Sequence, residues 1–278
     1  MTTYRANNAT PPVFLGTAGW GQDIPKPEAY RILEIFYANG HRWVDTATNY
    51  PINKNPEDFG KTILWLCDFR KDFPEICVYA KIGAANNLGE STQLINISYF
   101  EVIFERLTFL LSGNLKGLGV HWDNSEKGTD RSSVVEFFSR LHKRNFKVGI
   151  SGISAPENYL LNESTSQLPW MFQVNFSPLN YANSILKINQ IKALFPNAEV
   201  YAYGLLGGRV TQGLPKGGNR MPYLTSTLGA PRMGDKTEML DFLIMRCFSN
   251  KIDGILIGPN TRTQCLEWCE VFQRLNFR

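Results

Sequence analysis

No apolar run in the chain approaches the ~20 residues that a membrane-crossing helix needs. The opening Met-Thr-Thr-Tyr-Arg-Ala-Asn-Asn lacks the apolar core of a secretory signal. A cytoplasmic protein is the expectation from these two absences. Strong charge is missing as well: the net charge is +4 and the basic residues are scattered, too mild and diffuse for a nucleic-acid groove. Such a surface is ordinary for a soluble protein, and it also favours a phosphate-bearing ligand. Cysteine is odd in number, with five, and Cys67, Cys77, Cys247, Cys265 and Cys269 lie mostly in apolar patterns. Buried free thiols in a reducing compartment account for them. Cys265 and Cys269 stand four apart with no histidine or second cysteine pair beside them, so no metal site is expected. The sequon Asn96-Ile97-Ser98 carries little weight without secretion. What remains is a composition of 43% hydrophobic and 19% charged residues, which is that of a globular protein. The 278 residues suit one closed α/β barrel, typically ~250 residues long.

The positive signal is alternation. Short β-branched or aromatic runs take turns with longer stretches of helical period. Strands are predicted at 13–18, 43–47, 77–83, 117–122, 147–153, 172–177, 199–205 and 254–258. The first helix begins at Pro27, a favourable first-turn position, carries Ile32, Leu33, Ile35 and Phe36, and stops at Gly40. The second begins near Pro56, with Phe59, Ile63, Leu64 and Cys67 turned toward a core. Further helices are predicted at 99–111, 133–143, 156–161, 184–195, 236–249 and 262–275. Ser154 with Glu157, Asp235 with Glu238 and Thr261 with Gln264 have the spacing of capping boxes. Eight βα pairs point to an α/β fold, a single (β/α)8 TIM barrel over 1–278, with a doubly wound open sheet as the rival. One stretch breaks the rhythm. Residues 207–234 after the seventh strand are rich in Gly and Pro, and loops this long are usually functional or disordered. A flap over cofactor or substrate is expected there.

In a barrel the loops after the strands build the active site. The second strand brings Asp45, with Tyr50 five residues on; the third holds Lys81; the fourth ends in His121. Singly, Asp45 reads as a turn cap, Tyr50 as a surface aromatic and His121 as a core histidine. Lys81 is harder to place in a core, because an unpaired buried ammonium is costly. The other two histidines, His41 and His142, fall near helix ends. Together the four residues suit carbonyl reduction. Hydride attack builds negative charge on oxygen, and a proton donor must meet it. A tyrosine serves if its phenol is made more acidic than its free pKa of about 10. An ammonium such as Lys81 favours the phenolate, Asp45 pairs with that ammonium, and His121 hydrogen-bonds the carbonyl oxygen.

These residues and their surroundings resemble the aldo-keto reductase superfamily over nearly the whole chain. Phe14-Leu15-Gly16-Thr17 is similar to its opening strand, and Val44-Asp45-Thr46-Ala47 with Tyr50 to its Asp…Tyr segment. Glu57 with Phe59-Gly60-Lys61 is similar to the acidic-Leu-Gly helix that follows. Lys81 in Tyr79-Ala80-Lys81 and His121 in Gly119-Val120-His121-Trp122 match its other two catalytic positions. The resemblance implies Tyr50 as acid/base, Lys81 and Asp45 as its tuners, and His121 as the orienter of the carbonyl.

No GxGxxG fingerprint is present. Gly16-Thr17-Ala18-Gly19-Trp20-Gly21 has the wrong spacing, and Pro25 and Pro27 prevent the immediate helix; Gly204-Leu205-Leu206-Gly207-Gly208 has no helix after it. Both read as turns that let backbone approach a ligand. The resemblance implies a nicotinamide cofactor on the barrel face instead. Ser151 and Gln173 would bond its carboxamide, and Tyr203 would stack on its ring. The run from Gly204 through Leu206 to Gly208 would meet the diphosphate. The stretch Ile257-Gly258-Pro259-Asn260 into the last helix would meet the adenosine end, with Gln264 in contact and the helix start favouring phosphate. Three positions depart from the family. Gly152 stands where it often has Asn, Trp268 where it usually has Asn, and Asn260 where a basic residue often follows the glycine. Arg262 is near enough to serve a 2′-phosphate and reads equally as a solvated first-turn residue; the resemblance, through the habit of the family, implies NADP (as NADPH), with NAD as the alternative.

Trp20 and Trp122 fall in loops expected to rim the substrate pocket, where aromatic walls suit planar, apolar or sugar groups. No arginine cluster points to a phosphorylated or dicarboxylate substrate. The expected partner is a small carbonyl or alcohol, with no nucleic acid and no membrane; the sequence is silent on oligomeric state. Two rivals stand beside the reductase: a cofactor-sensing regulatory protein on the same fold, and a barrel lyase using Lys81 as a Schiff base.

Overall fold

The computed structural model describes residues 13–88, 93–123, 130–177, 180–206 and 236–275. Eight parallel strands close on themselves in chain order. They are β1 (Val13–Gly16), β2 (Trp43–Ala47), β3 (Cys77–Ile82), β4 (Leu115–His121), β5 (Lys147–Ser151), β6 (Met171–Asn175), β7 (Glu199–Tyr203) and β8 (Gly254–Ile257). Closure is made by β1, which pairs with β2 on one side and with β8 on the other. The open sheet is thereby excluded, and the architecture is the (β/α)8 barrel. The expected strand segments agree with the observed ones to within a few residues. Most run on slightly at the C-terminal end, where the chain turns into the loops.

The helices form the outer ring. They are α1 (Lys26–Ala38), α2 (Lys61–Phe69), α3 (Ile97–Leu111), α4 (Arg131–Lys143), α5 (Glu163–Ser166), α6 (Tyr181–Leu194), α7 (Lys236–Ser249) and α8 (Arg262–Arg274). Each of the long ones buries an apolar stripe of period near 3.6: Ala29, Ile32, Leu33 and Phe36 on α1, and Phe100, Phe104, Leu107 and Leu111 on α3. Full burial of such a side chain is worth about 1.5–3 kcal/mol. Among the described residues no helix is long and apolar enough to cross a membrane.

The helix near Pro56 is two pieces. A 3-10 turn (Pro56–Asp58) ends before Gly60, whose φ of 78° is left-handed, and α2 starts only at Lys61. The face shifts with the start, so Thr62, Ile63, Leu66 and Phe69 are buried while Phe59 and Leu64 are exposed. The segment expected at 156–161 is likewise a short 3-10 turn (Pro56's counterpart at Pro156–Tyr159), capped by Ala155 with no side-chain bond, so Ser154 and Glu157 form no box. A capping box occurs at Asn162 with Thr165 instead. Thr261 caps α8 by accepting from the Gln264 amide. Asp235 and the expected flap at 207–234 lie outside the described residues.

Candidate active site

Alternation along each strand decides what the barrel interior holds, since residues two apart share a face. One interior cluster consists of Phe14, Tyr79, Met171, Tyr201 and Leu256, with Trp43 and Tyr203 packed on it. Two residues further along the same strands stand Asp45 after Trp43, Lys81 after Tyr79, Gln173 after Met171 and Tyr203 after Tyr201. The same step leads from Gly119 to His121 and from Gly149 to Ser151. Those glycines make room for one ring. A Cβ on Gly119 would lie 2.1 Å from the Tyr79 hydroxyl, and one on Gly149 2.7 Å from it. An apolar floor therefore carries a polar layer at the C-terminal mouth, where barrel active sites form.

Lys81 is the hub of that layer. Its Nζ donates to Asp45 Oδ1 at 2.5 Å, to the Tyr50 hydroxyl at 3.3 Å and to Gln173 Oε1 at 3.4 Å. Gln173 Nε2 donates to Asp45 Oδ2 at 2.6 Å, so both carboxylate oxygens are held. The Lys81 and Asp45 side chains are each 3% exposed. Burial works against the Lys81 ammonium, but the charges of Asp45 and Tyr50 outweigh it and hold its pKa above the ordinary lysine value. Burial pushes the Asp45 carboxyl upward against the pull of Lys81; the short contact and the double hydrogen bonding keep the two as an ion pair. Tyr50 departs from expectation. Burial raises its phenol above the ordinary value, and the charge of Lys81 offsets this only in part. The phenol is accordingly protonated across the neutral range, and Lys81 is placed to stabilise a phenolate once the proton leaves.

His121 closes the site. Its ring meets the Tyr50 ring edge-on with centroids 5.6 Å apart and lies against the Trp122 ring at 4.3 Å. Burial, helped by the Lys81 charge, lowers its pKa well below the ordinary imidazole value, so the ring is neutral. Its Nδ1 sits 3.0 Å from Asn49 Oδ1. Trp122 has a left-handed φ of 61° and donates its backbone N–H to Ser151 O at 2.8 Å. Its indole explains the departure at Gly152. A Cβ there would lie 2.6 Å from Trp122 Cδ1, and the glycine has a φ of +69°. The loop that carries Trp122 is tied down by Asp123, which takes two bonds from Arg131 at 2.7 and 3.1 Å and one from the buried Tyr159 hydroxyl at 2.8 Å.

The expected cofactor residues divide into two groups. Ser151 is buried, opposite His121 in the β4–β5 register, and its hydroxyl makes no hydrogen bond among the described residues. Tyr203 and the left-handed Gly204 follow on β7, and Leu206 packs against the apolar core. This end fits a nicotinamide: a hydroxyl without a partner among the described residues, an aromatic face and a left-handed glycine turn. Gln173 is already engaged by Asp45 and Lys81. At the far end Gly258, Asn260 and Arg262 are exposed. Gln264 Oε1 accepts from the Asn260 amide at 2.8 Å, and the Arg262 amide donates to Glu28 Oε1 at 2.8 Å. A carboxylate thus already holds one amide of that helix start. Trp268 is a core residue stacked on Phe272 at 5.7 Å, which accounts for the departure at that position.

Of the two tryptophans expected at the rim, Trp122 lies against the His121 ring, whereas Trp20 is packed into the apolar core. Trp20 is fully buried, its ring 6.0 Å from Phe69 of α2. Asn49, Asp123, Arg131 and Tyr159 escaped sequence reasoning. Asn49 adjoins Tyr50, and Asp123 follows His121-Trp122 directly; a polar residue next to a candidate catalytic one was the available signal. Among the described residues no group of three or more His, Cys, Asp or Glu is arranged to hold a metal.

Comparison with known proteins bears on this arrangement. A family profile described as the aldo/keto reductase family matches residues 12–224. No curated protein matches the chain in sequence. Among solved structures, a Pseudomonas aeruginosa protein assigned as an aldo-keto reductase is similar, with a TM-score of 0.63 at 16% identity over 97% of this chain and 93% of that one. So is the glycerol dehydrogenase of Gluconobacter oxydans, with a TM-score of 0.63 at 19% identity over 94% of this chain and 86% of that one. At such identities these structures speak to the fold.

Proposed function

The chain belongs to the aldo/keto reductase family, and from that premise we propose that it moves hydride between NADPH and a small aldehyde or ketone, or in reverse from the alcohol. One observation carries the reading: Lys81 bonds Asp45 and Tyr50 together in a buried site that also contains the ring of His121. The reduced nicotinamide supplies the hydride when bound. Tyr50 gives its phenolic proton to the carbonyl oxygen as charge develops there. Lys81 stabilises the phenolate left behind, and Asp45 with Gln173 keeps the ammonium in place. His121, neutral and buried, orients the carbonyl. Ser151 would bond the carboxamide, Tyr203 would stack on the ring, and the Gly204 turn would let the diphosphate approach. A Schiff-base role for Lys81 is disfavoured by the same pairing, since a lysine held as an ammonium is a poor nucleophile.

At the adenosine end two residues oppose each other. Arg262 brings a cation for a 2′-phosphate, while Glu28 brings a carboxylate to the Arg262 amide. Titration by intrinsic tryptophan fluorescence compares NADPH with NADH, and turnover is then followed against a panel of aldehydes, ketones and alcohols. Saturable quenching, tighter with NADPH and accompanied by turnover, is the expected outcome. Tighter NADH binding would keep the reductase and give Glu28 the deciding vote on cofactor. Cofactor binding without turnover of any substrate would favour the cofactor-sensing protein, and no binding of either cofactor would end the reading.

A further inference from the structure

We propose that Asn49 is a positioning residue: its side-chain amide donates to Nδ1 of His121 and so fixes the tautomer in which Nε2 carries the proton and faces the carbonyl oxygen. The proposal rests on the reading of His121 as the group that orients the carbonyl.

Asn49 is fully buried directly beside Tyr50, and among the described residues the one hydrogen bond of its side chain goes to the His121 ring at 3.0 Å. A neutral imidazole has one N–H and one bare nitrogen, and the partner at one nitrogen decides the state of the other. Neutrality matters here, because an imidazolium would carry protons on both nitrogens and leave nothing to decide. His121 is kept neutral by burial and by the nearby Lys81 charge.

An amide can present oxygen or nitrogen to the same point by a half-turn of its end. With oxygen toward Nδ1, the Asn49 Nδ2 group is buried with no partner among the described residues, so two N–H donors are orphaned. The half-turn gives one of those donors to Nδ1 and leaves one N–H and a carbonyl oxygen. Orphaned buried N–H groups are rarer in folded proteins than underused carbonyl oxygens. The substrate favours the same choice. A carbonyl oxygen only accepts hydrogen bonds, so a bare Nε2 would set lone pair against lone pair, whereas Nε2–H donates. His121 Nε2 makes no hydrogen bond among the described residues and is left for that purpose.

The test is ring nitrogen NMR of 15N-histidine-labelled full-length protein at neutral pH, with two-bond correlations that separate the two tautomers. Only three histidines are present, and His121→Gln identifies the signal of interest. In the unaltered protein His121 is expected as the Nε2–H tautomer. Asn49→Leu, similar in size and unable to hydrogen-bond, should give a mixture of tautomers. Its kcat/KM for a carbonyl should fall by up to about 10²-fold, the scale for losing one oxyanion donor, with cofactor Kd unchanged. Asn49→Asp, an acceptor of the same shape, should draw a proton onto Nδ1 and offers a second variant if the leucine protein fails to fold. An Nδ1–H tautomer in the unaltered protein would overturn the proposal, as would a tautomer indifferent to Asn49→Leu. The Nε2–H tautomer in a protein that reduces no carbonyl would sink the function and leave the Asn49 assignment standing. Turnover with the Nδ1–H tautomer would do the reverse.

Discussion

Two clusters, each of a lysine, an acid and a tyrosine, sit at opposite ends of the barrel. At the C-terminal mouth Lys81 bonds Asp45 and reaches the Tyr50 hydroxyl at 3.3 Å, with its ammonium 5.2 Å from the ring centre. At the N-terminal end Lys147, the first residue of β5, bonds Glu199, the first residue of β7, and reaches the Tyr201 hydroxyl at 3.5 Å, 5.5 Å from that ring centre. On a list of contacts the two are near twins. They differ in solvent and in surroundings. Lys81 and Asp45 are each 3% exposed, while Lys147 and Glu199 are 23% and 41% exposed. Among the described residues the mouth alone adds a histidine, a serine hydroxyl without a partner and a left-handed glycine turn. A lysine–acid–tyrosine group becomes reactive machinery by being dry and by having somewhere to put a substrate; the same group in contact with water is a fastening.

The largest difference should come from removing one oxygen at each end. Tyr50→Phe is expected to lower carbonyl reduction by about 10²–10⁴-fold, the usual contribution of a positioned proton donor, with cofactor quenching retained. Tyr201→Phe is expected to leave turnover intact. The pH dependence sharpens the contrast. On the proposed mechanism reduction needs the protonated phenol, which persists below a Tyr50 pKa that burial raises. It also needs neutral His121, which persists above a pKa that burial lowers. The reduction rate should therefore hold from roughly pH 7 to 9 and fall only beyond the ordinary phenol range near 10. Oxidation of the alcohol, which needs the phenolate, should rise with pH instead. Retained turnover in Tyr50→Phe would remove Tyr50 from the mechanism.

The next difference is in stability. Asp45→Ala leaves a buried ammonium without its counter-ion and should cost about 3–5 kcal/mol, seen as a lower urea midpoint. Glu199→Ala leaves Lys147 able to reach water and should cost no more than about 1 kcal/mol. Equal losses would mean that burial does not separate the two clusters.

Between these lies Gly152. Its φ of +69° and the 2.6 Å approach of the Trp122 ring leave no space for a side chain. Gly152→Ala should cost about 1–3 kcal/mol through backbone strain and should displace Trp122 from His121, raising KM more than it lowers kcat. A variant with unchanged tryptophan fluorescence and unchanged KM would show that the mouth yields more easily than the geometry implies.

Much of this was open to reading from the chain. The strands were legible because a barrel repeats one βα unit, and each strand is a short apolar run between turns. Asp45, Tyr50, Lys81 and His121 were legible because reactive side chains at strand ends are scarce in such runs. What stayed hidden depends on meetings across long stretches of chain. Gln173 touches Lys81 across 92 residues and Asp45 across 128, and Asn49 meets His121 across 72. The room that Gly117, Gly119 and Gly149 leave for the Tyr79 ring shows only once the strands are brought together. Trp20 reads as a mouth residue by its place in the chain, yet it is fully buried.

The smallest expected effect is the one that confines the chemistry to one end. Lys147→Met keeps the aliphatic stem over the Tyr201 ring and removes only the charge. An ion pair in contact with water is worth about 0–1 kcal/mol, because solvent already satisfies both ions and ordering two long side chains is costly. The loss should be of that size in a urea titration. It should also shrink in 1 M salt, where the screening length is about 3 Å. The buried Asp45–Lys81 pair, shielded from mobile ions, should show no such salt dependence. Turnover should be unchanged, since Lys147 stands at the start of its strand and Ser151, the candidate site residue, at its end. A loss of activity in Lys147→Met with full stability would mean that the two ends of the barrel are coupled, and the division between machinery and fastening would have to be given up.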